Sequence, residues 1–363
     1  DQLMIHTPVF GYWKDVFVIE TPTENNLNWL MYQLEESDNK NLLAKWFPRR
    51  GPWFSAMHKY MKKSPKEFRQ MLVEMTRVVE TQMCNRDWSS IEYSKVPSVA
   101  MNRYRNAFYK HDETRMTQFI TDVKSGNAKI NASVLFPHEL YQAIQGGQNA
   151  NAVEAQWNAM PDYMADSTER ILPVCDVSGS MLGLPMDVSV SLGLYISERN
   201  KGIFRDAFIT FSEKPVMQYL QGSVAQKMRQ LTNADWGMNT NLQAVFRLIL
   251  DVAKRDSLPA DEMPTKILII SDMEFDEAGR NTNLERIKAE YIQLGYEMPE
   301  IVFWNVNGRM GNSPAQVTDK NVGLVSGFSP SILKSILKGK IYGPRELMLD
   351  TVMTDRYKLV TID

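Results

Sequence analysis

The sequence predicts an α+β chain with two parts, a mostly α-helical region over residues 1–165 and a Rossmann-like α/β region over residues 166–363. From Ile171 onward, short apolar runs of strand length alternate with segments of helical periodicity, which is typical of a parallel sheet covered by helices. Before that point, apolar residues recur three and four positions apart, as on one face of a helix. A chain of 363 residues is long enough for two or three domains with separate cores.

The N-terminal region carries helix-start signals followed by apolar stripes. Ser64-Pro65-Lys66-Glu67 is a capping box, in which Ser64 and Glu67 can bond each other's backbone amides. The apolar stripes are Leu27, Leu30, Met31 and Leu34; Phe68, Met71, Leu72, Met75, Val78 and Val79; and Met116, Phe119, Ile120 and Val123. Residues 1–20 are richer in β-branched and aromatic residues, which favours a short hairpin or an extended strand there.

The elements of the second region follow one another in α/β order. The predicted strands are Ile171–Cys175, Ala207–Phe211, Val216–Leu220, Ile267–Ile270, Ile301–Val306 and Val322–Ser326. The predicted helices are Met186–Glu198, Val224–Leu231, Leu242–Val252, Leu284–Leu294 and a last one that Ser329-Pro330 opens. In such a sheet, ligands bind at the carboxyl ends of the strands.

A D-x-S-x-S loop, formed by Asp176, Ser178 and Ser180, follows the first predicted strand directly. One carboxylate and two hydroxyls spaced two apart in a tight turn can all face one small hard cation, and Mg²⁺ prefers such oxygen ligands. Two other polar segments could contribute to the same cation site: the turn that contains Thr240, and Asp272 at the end of an apolar strand. The alternative is that Asp176 and Asp272 merely cap the elements after them and bind no ion.

Together the three segments resemble the metal-ion-dependent adhesion site of von Willebrand factor A domains. The resemblance implies that Ser178, Ser180 and Thr240 ligate a metal directly or through water, and that Asp176 and Asp272 hold coordinated waters and supply negative charge. It implies Mg²⁺, or alternatively Mn²⁺ or Ca²⁺, as the cofactor. It also implies a protein partner whose acidic residue completes the coordination.

Composition excludes several classes of protein. The net charge of −2 gives no global signal for polyanion binding, and 44% hydrophobic with 23% charged residues is ordinary for a globular chain. Cys84 and Cys175 form no disulfide framework, which favours a reducing compartment. No apolar run approaches the ~18 residues of a membrane span, and no signal-peptide pattern opens the sequence. We therefore expect no membrane partner and a cytoplasmic location, or the virion if the protein is viral.

Charge is uneven within the helical region. Between Lys40 and Lys129 there are 18 lysines and arginines against eight aspartates and glutamates, an excess of ten. Basic residues interleaved with aromatic ones can neutralise phosphates and stack bases, so we predict a nucleic-acid contact by Lys45, Arg49, Arg50, Lys59, Lys62 and Lys63. The alternative is a solvated helical face whose long stems cover apolar surface.

No arrangement of residues predicts catalysis. The four histidines form no H-E-x-x-H pattern, Ser178 lacks a G-x-S-x-G elbow, and no phosphate-binding loop of the G-x-x-x-x-G-K type is present. The D-x-S-x-S loop also lacks the second acid of an aspartyl-phosphate phosphatase loop. We therefore predict that the chain is not an enzyme.

The helical region resembles a family of uncharacterised proteins. The resemblance is carried by Ser94–Ala100 with Tyr104, Phe108, His111-Asp112 and Arg115, by Lys129–Ala132, by Phe136-Pro137-His138 and by Lys45–Arg49. The family is domain of unknown function 2828, whose members carry a von Willebrand-type domain at the C-terminal end. The layout is also distantly similar to that of the Ro autoantigen (TROVE) proteins, in which a helical-repeat domain that binds RNA precedes a von Willebrand factor A domain. Three functions remain open: a metal-dependent binding or scaffold protein, an RNA-binding ribonucleoprotein, and a structural virion component.

Overall fold

The structure is a computed structural model that describes residues 12–165, 167–210, 214–234, 242–272, 284–307 and 322–327, with single positions outside these ranges. The chain forms two compact units, residues 1–92 together with 344–363, and residues 93–343. The predicted boundary near residue 165 marks the change from helices to alternating strands and helices, but the compact units divide elsewhere. The physical reason is that residues 132–164 contribute to the hydrophobic core that covers one face of the sheet.

Five helices of the first unit are described, and side-chain caps at Thr23 and Ser64 begin the first and the fourth. The helices are α1 (Glu24–Glu36), α2 (Lys40–Trp46), α3 (Pro52–Tyr60), α4 (Pro65–Met75) and α5 (Val79–Cys84). The Ser64 hydroxyl accepts a hydrogen bond from the Glu67 amide at 3.2 Å, and the Glu67 carboxylate accepts one from the Ser64 amide at 2.8 Å. The predicted capping box is therefore confirmed.

Aromatic side chains fill the core of the first unit. Phe47 lies edge-on to Phe17 with the ring centres 5.0 Å apart, and edge-on to Phe68 at 5.3 Å. Residues 13–18 form a 3₁₀ helix that buries Trp13 and Val16 in this core. The predicted strand or hairpin is therefore wrong for residues 13–18. Trp13 and Val16 are three positions apart, and such side chains share a face in a 3₁₀ turn but lie on opposite faces of a strand. Most of residues 1–11 lie outside the described residues.

The second unit combines four helices of the helical region with the α/β elements. The helices are α6 (Ser98–His111), α7 (Glu113–Lys124), α8 (Pro137–Gln145), α9 (Ala150–Asn158), α10 (Leu184–Arg199), α11 (Val224–Thr232), α12 (Leu242–Arg255) and α13 (Leu284–Gln293). The strands are β1 (Ile171–Cys175), β2 (Ala207–Thr210), β3 (Met217–Tyr219), β4 (Lys266–Ser271), β5 (Glu300–Asn305) and β6 (Val322–Ser326). Each of these strands was predicted within one residue or two of its observed ends.

The six strands form one sheet in the order β3-β2-β1-β4-β5-β6. The strand β3 runs antiparallel to β2, and the other neighbours are parallel. This is a Rossmann-like order: β2 and β3 are added on one side of β1, and β4, β5 and β6 on the other. The predicted fold class, a helical region followed by an α/β region, is confirmed. The predicted last helix after Ser329-Pro330 begins outside the described residues.

Helices cover both faces of the sheet, and strand side chains alternate between them. Leu172 and Val174 belong to the core that α12 and α13 cover, whereas Ile171 and Cys175 belong to the core that α8, α9, α10 and α11 cover. Both faces of a parallel sheet must be covered because its strands carry apolar residues on both sides.

Helix α10 is buried on every side, with consecutive buried residues from Val188 to Ser197. One side faces β1, where Gly193 permits a close approach: a Cβ at this position would lie 2.2 Å from the Cys175 Sγ. The helical region holds the other side, since Gln142 donates to Asp187 at 2.7 Å and Trp157 donates to Glu198 at 2.6 Å. Helix α10 therefore lies as a middle layer between the sheet and helices α8 and α9.

Candidate metal-binding site

Asp176 and Asp272 follow neighbouring parallel strands at the same edge of the sheet. The register pairs Cys175 of β1 with Ile270 of β4, and the Asp176 amide donates to the Ile270 carbonyl at 2.9 Å. Because both strands run in one direction, the residues that follow them meet at the carboxyl edge. The predicted adjacency of these two strands is confirmed, and it brings the D-x-S-x-S loop beside Ser271 and Asp272.

The Asp176 carboxylate is buried and held on both oxygens. Its Oδ1 accepts a hydrogen bond from the Ser178 amide at 2.9 Å, and its Oδ2 accepts one from the Ser271 hydroxyl at 2.7 Å. Burial raises the pKa of Asp176; the hydrogen bonds from Ser178 and Ser271 oppose that shift, and the nearby charge of Asp272 adds to it. The carboxylate therefore has a fixed direction and a second acid close by.

Two hydroxyls lie at the exposed side of the same loop. The Ser178 and Ser180 Oγ atoms are 3.1 Å apart, which is the separation of two oxygens that can share one ligand or bond each other. A 3₁₀ turn over Gly179–Met181 places Ser180 on the surface and buries Met181 completely. The buried methionine fixes the turn to the core, so the hydroxyls have a defined position.

This donor set fits a hard divalent cation. Asp176 and Asp272 are each 3% exposed, and buried carboxylates are costly unless an opposite charge offsets them. Neutral hydroxyls and carboxylates together are the oxygen ligands that suit Mg²⁺. Within the described ranges, no three histidine, cysteine or acidic side chains converge as a zinc site would require.

The structure thus brings together four of the five predicted metal-site residues: Asp176, Ser178, Ser180 and Asp272. Thr240 lies outside the described residues. Ligation of a metal by these side chains stays a prediction.

The predicted nucleic-acid-binding residues differ in their contacts and in their exposure to solvent. Lys45 forms an ion pair with Glu80 at 3.3 Å, and Arg49 donates to the Phe47 carbonyl at 3.2 Å while burial lowers its pKa. Arg50, Lys59 and Lys62 are exposed, and Lys63 is half-buried. The predicted set is therefore divided between side chains that bond within the first unit and side chains that face solvent.

Sequence reasoning missed two polar residues. Ser271, whose hydroxyl holds Asp176, stands next to Asp272 at the end of a strand, and a hydroxyl in that position was a usable signal. Arg105 of α6 is completely buried and donates to Gln148 at 2.9 Å, to Asn102 at 3.0 Å and to Gln156. The available signal was helical spacing, which places Arg105 on the same face of α6 as the buried Met101 and Phe108.

The strand order, with its antiparallel edge strand, defines a Rossmann-like α/β domain preceded by a helical region. Residues 170–358 match the family model described as Domain of unknown function (DUF7788), and residues 54–169 match the model described as Domain of unknown function (DUF2828). The chain belongs to the DUF7788 family, and the resemblance of its helical region to DUF2828 is confirmed. The two family matches meet at residues 169 and 170, whereas the compact units meet at residues 92 and 93.

The proteins similar to the chain include a viral protein and a protein of known structure. An uncharacterized protein of Acanthamoeba polyphaga mimivirus is 28% identical over 94% of this chain and 70% of the relative. A crystal structure of the Deinococcus radiodurans RO (RSR) protein matches 93% of this chain and 83% of its own, with a TM-score of 0.46 and 14% identity. Within the described residues, no helix has the length and apolar character needed to cross a bilayer. A role as a structural virion component stays a prediction.

Proposed function

We propose that the chain is a non-enzymatic binding protein that uses Mg²⁺ at the β1–α10 loop to engage an acidic residue of a protein partner. The observation that carries the proposal is the Asp176 carboxylate, fixed by Ser178 and Ser271 beneath a pair of hydroxyls. Ser178 and Ser180, with Thr240 from the predicted third segment, would ligate the ion; Asp176 and Asp272 would hold its waters. When bound, the ion supplies a positive centre with an open position for a carboxylate.

The surroundings of the loop support binding rather than catalysis. A hydrolytic metal site needs a general base or nucleophile within hydrogen-bond reach of the substrate. Both oxygens of Asp176 are engaged by protein donors. Cys175 is fully buried, and its Sγ faces α10 rather than the loop.

The proposal is tested by calorimetric titration of Mg²⁺ into the wild-type chain, Asp176→Asn and Asp176→Ala. We expect one site in the wild type and none in either variant, because both remove a charge that offsets the desolvation of the ion. Ser180→Ala should weaken binding, and Ser125→Ala, which removes an exposed hydroxyl after α7, should not. Equal Mg²⁺ affinity in Asp176→Asn and the wild type would refute the metal site.

Thermal stability gives a second readout, because the difference in stability between Asp176→Asn and the wild type should depend on whether Mg²⁺ is present. Without metal, Asp176→Asn should be at least as stable as the wild type, because it removes one of two nearby buried charges and keeps the shape of the side chain. At a Mg²⁺ concentration 100 times the dissociation constant, the wild type should gain about 2.7 kcal/mol, and the variant should gain nothing.

We also propose a second function, contact with single-stranded RNA by the turn between α3 and α4. Lys59, Lys62 and Lys66 are exposed around this turn, and among the described residues none of them forms an ion pair. Cations without an acidic partner on their own surface keep their full attraction for phosphates. This observation favours RNA binding at this turn over the alternative of a solvated face whose charges compensate one another.

A filter-binding assay with a salt titration tests the second function. The double variant Lys59→Glu with Lys62→Glu should weaken binding to unrelated RNA sequences and reduce the log–log salt slope by about 0.7 for each lost contact. Lys45→Gln is the matched control, because Lys45 already pairs with Glu80, and it should change little. Absence of RNA binding by the wild type at low salt would refute this function.

A further inference from the structure

The loop that carries the hydroxyls also exposes two leucines. Leu182 is 75% exposed and Leu184 is 41% exposed, whereas Met181 next to them is fully buried. A single exposed leucine is ordinary on a protein surface. Here the two leucines come two and four positions after Ser180, so apolar surface and candidate metal ligands lie in one short segment.

Backbone geometry holds these leucines in place. The Met181 amide donates to the Ser178 carbonyl at 3.0 Å, and the Leu182 amide donates to the Gly179 carbonyl at 3.3 Å. Gly183 has a φ of 92°, a left-handed conformation that glycine adopts without strain, and it turns the chain into α10. Pro185 in the first turn of α10 fixes the backbone further.

Among the described residues, nothing crowds the two glycines of this loop. A Cβ built at Gly179 or at Gly183 would meet no atom within 4 Å. The exposed leucines stand on a hydrogen-bonded turn, so little conformational entropy is lost when a partner docks on them.

We propose that Leu182 and Leu184 form an apolar contact beside the metal position and that they select the partner. The partner is then an extended protein segment in which an acidic residue is flanked by apolar residues. This inference rests on the proposed metal-dependent function, because the acid would take the open position on Mg²⁺. A phosphate group could satisfy the ion, but it offers nothing that would cover two leucines.

The magnitude follows from apolar burial. Covering one exposed leucine side chain on binding strengthens the complex about tenfold or more. Removing Leu182 should therefore weaken the binding of a segment with apolar flanks by about that factor. It should leave the affinity for a segment with polar flanks unchanged.

Fluorescence polarisation on the full chain with excess Mg²⁺ tests the inference. The probes are three short labelled peptides: an aspartate between two leucines, an aspartate between two serines, and an asparagine between two leucines. The proteins are the wild type, Leu182→Ser, and Leu294→Ser as the matched control. Leu294 is 38% exposed after α13, at the opposite edge of the sheet.

We expect the wild type and Leu294→Ser to prefer the leucine-flanked aspartate about tenfold over the serine-flanked one, and Leu182→Ser to lose that preference. The asparagine peptide and added chelator should abolish binding. Equal binding of the two aspartate peptides by the wild type, or no binding of either while calorimetry shows bound Mg²⁺, would overturn the inference and leave the metal site standing. Absence of Mg²⁺ binding in calorimetry would instead overturn the proposed function, and the inference with it.

Discussion

Replacement of Gly193 by alanine should destabilise the chain, although alanine is the better helix former. Gly193 lies within α10, where alanine would be favoured by about 1 kcal/mol from helix propensity alone. A Cβ at this position would lie 2.2 Å from the Cys175 Sγ, about 1.3 Å inside a ~3.5 Å contact. Overpacking of a buried core costs about 1–3 kcal/mol. An overlap of this size belongs in the upper part of that range, because β1 and α10 are both enclosed and cannot move apart freely. We therefore expect a net loss of about 1–2 kcal/mol.

A second substitution, Cys175→Ala, tests whether the contact with the Cys175 Sγ causes the loss of stability in Gly193→Ala. Cys175→Ala by itself removes one buried sulfur and should cost about 1 kcal/mol. In the double variant the clash is gone, and the remaining neighbours of the new Cβ, Leu231 Cδ1 at 3.5 Å and the Cβ of residue 175 at 3.8 Å, are at ordinary contact distance. The double variant should therefore be within about 1 kcal/mol of the wild type, which makes the two effects non-additive.

Urea unfolding followed by circular dichroism measures all four proteins, with the free energy taken from the midpoint and the slope. The transition of residues 93–343 is the one expected to move, because both sites belong to that unit. A Gly193→Ala chain as stable as the wild type, or additive effects of the two substitutions, would refute this account of how α10 packs on β1.

Three further predictions concern the second unit. Arg105→Met should lower the free energy of unfolding by about 2–4 kcal/mol in urea titrations, because three side-chain oxygens lose their donor in the interior; a change below 1 kcal/mol would contradict the buried position. Burial lowers the pKa of His138 below its usual 6.5, against the opposing charges of Glu139 and Asp187, so its neutral form is favoured in the folded chain. Stability should therefore fall as the pH drops below about 6.5, and His138→Gln should reduce that fall in urea midpoints taken at several pH values. Residues 166–363 expressed alone should bind a hydrophobic dye and lack a cooperative unfolding transition, because the outer side of α10 is no longer packed against α8 and α9. A cooperative transition equal to that of the full chain would show that α10 is stable without these helices.

Local sequence signals determined most of the secondary structure. The capping box at Ser64 and the apolar runs of the six strands depend on interactions within a few residues, so they could be read without a partner. The position of Asp176 and Asp272 was also predictable, because parallel strands in one sheet bring their carboxyl ends to one edge. The strand at residues 13–18 was mispredicted because β-branched and aromatic residues favour any half-buried surface, a 3₁₀ turn included.

The tertiary structure decided what covers α10 and where the compact units divide. The consecutive apolar and small residues from Val188 to Ser197 already indicate a helix buried on all sides, but periodicity does not say which helices cover it. Those helices come from the region before residue 165, through contacts such as Trp157 with Glu198 that join residues far apart in the chain. The same limit applies to the hydrogen-bond partners of Ser271 and Arg105. A hydrogen bond between side chains on different elements depends on register and on distance in space, and a single sequence encodes neither one locally.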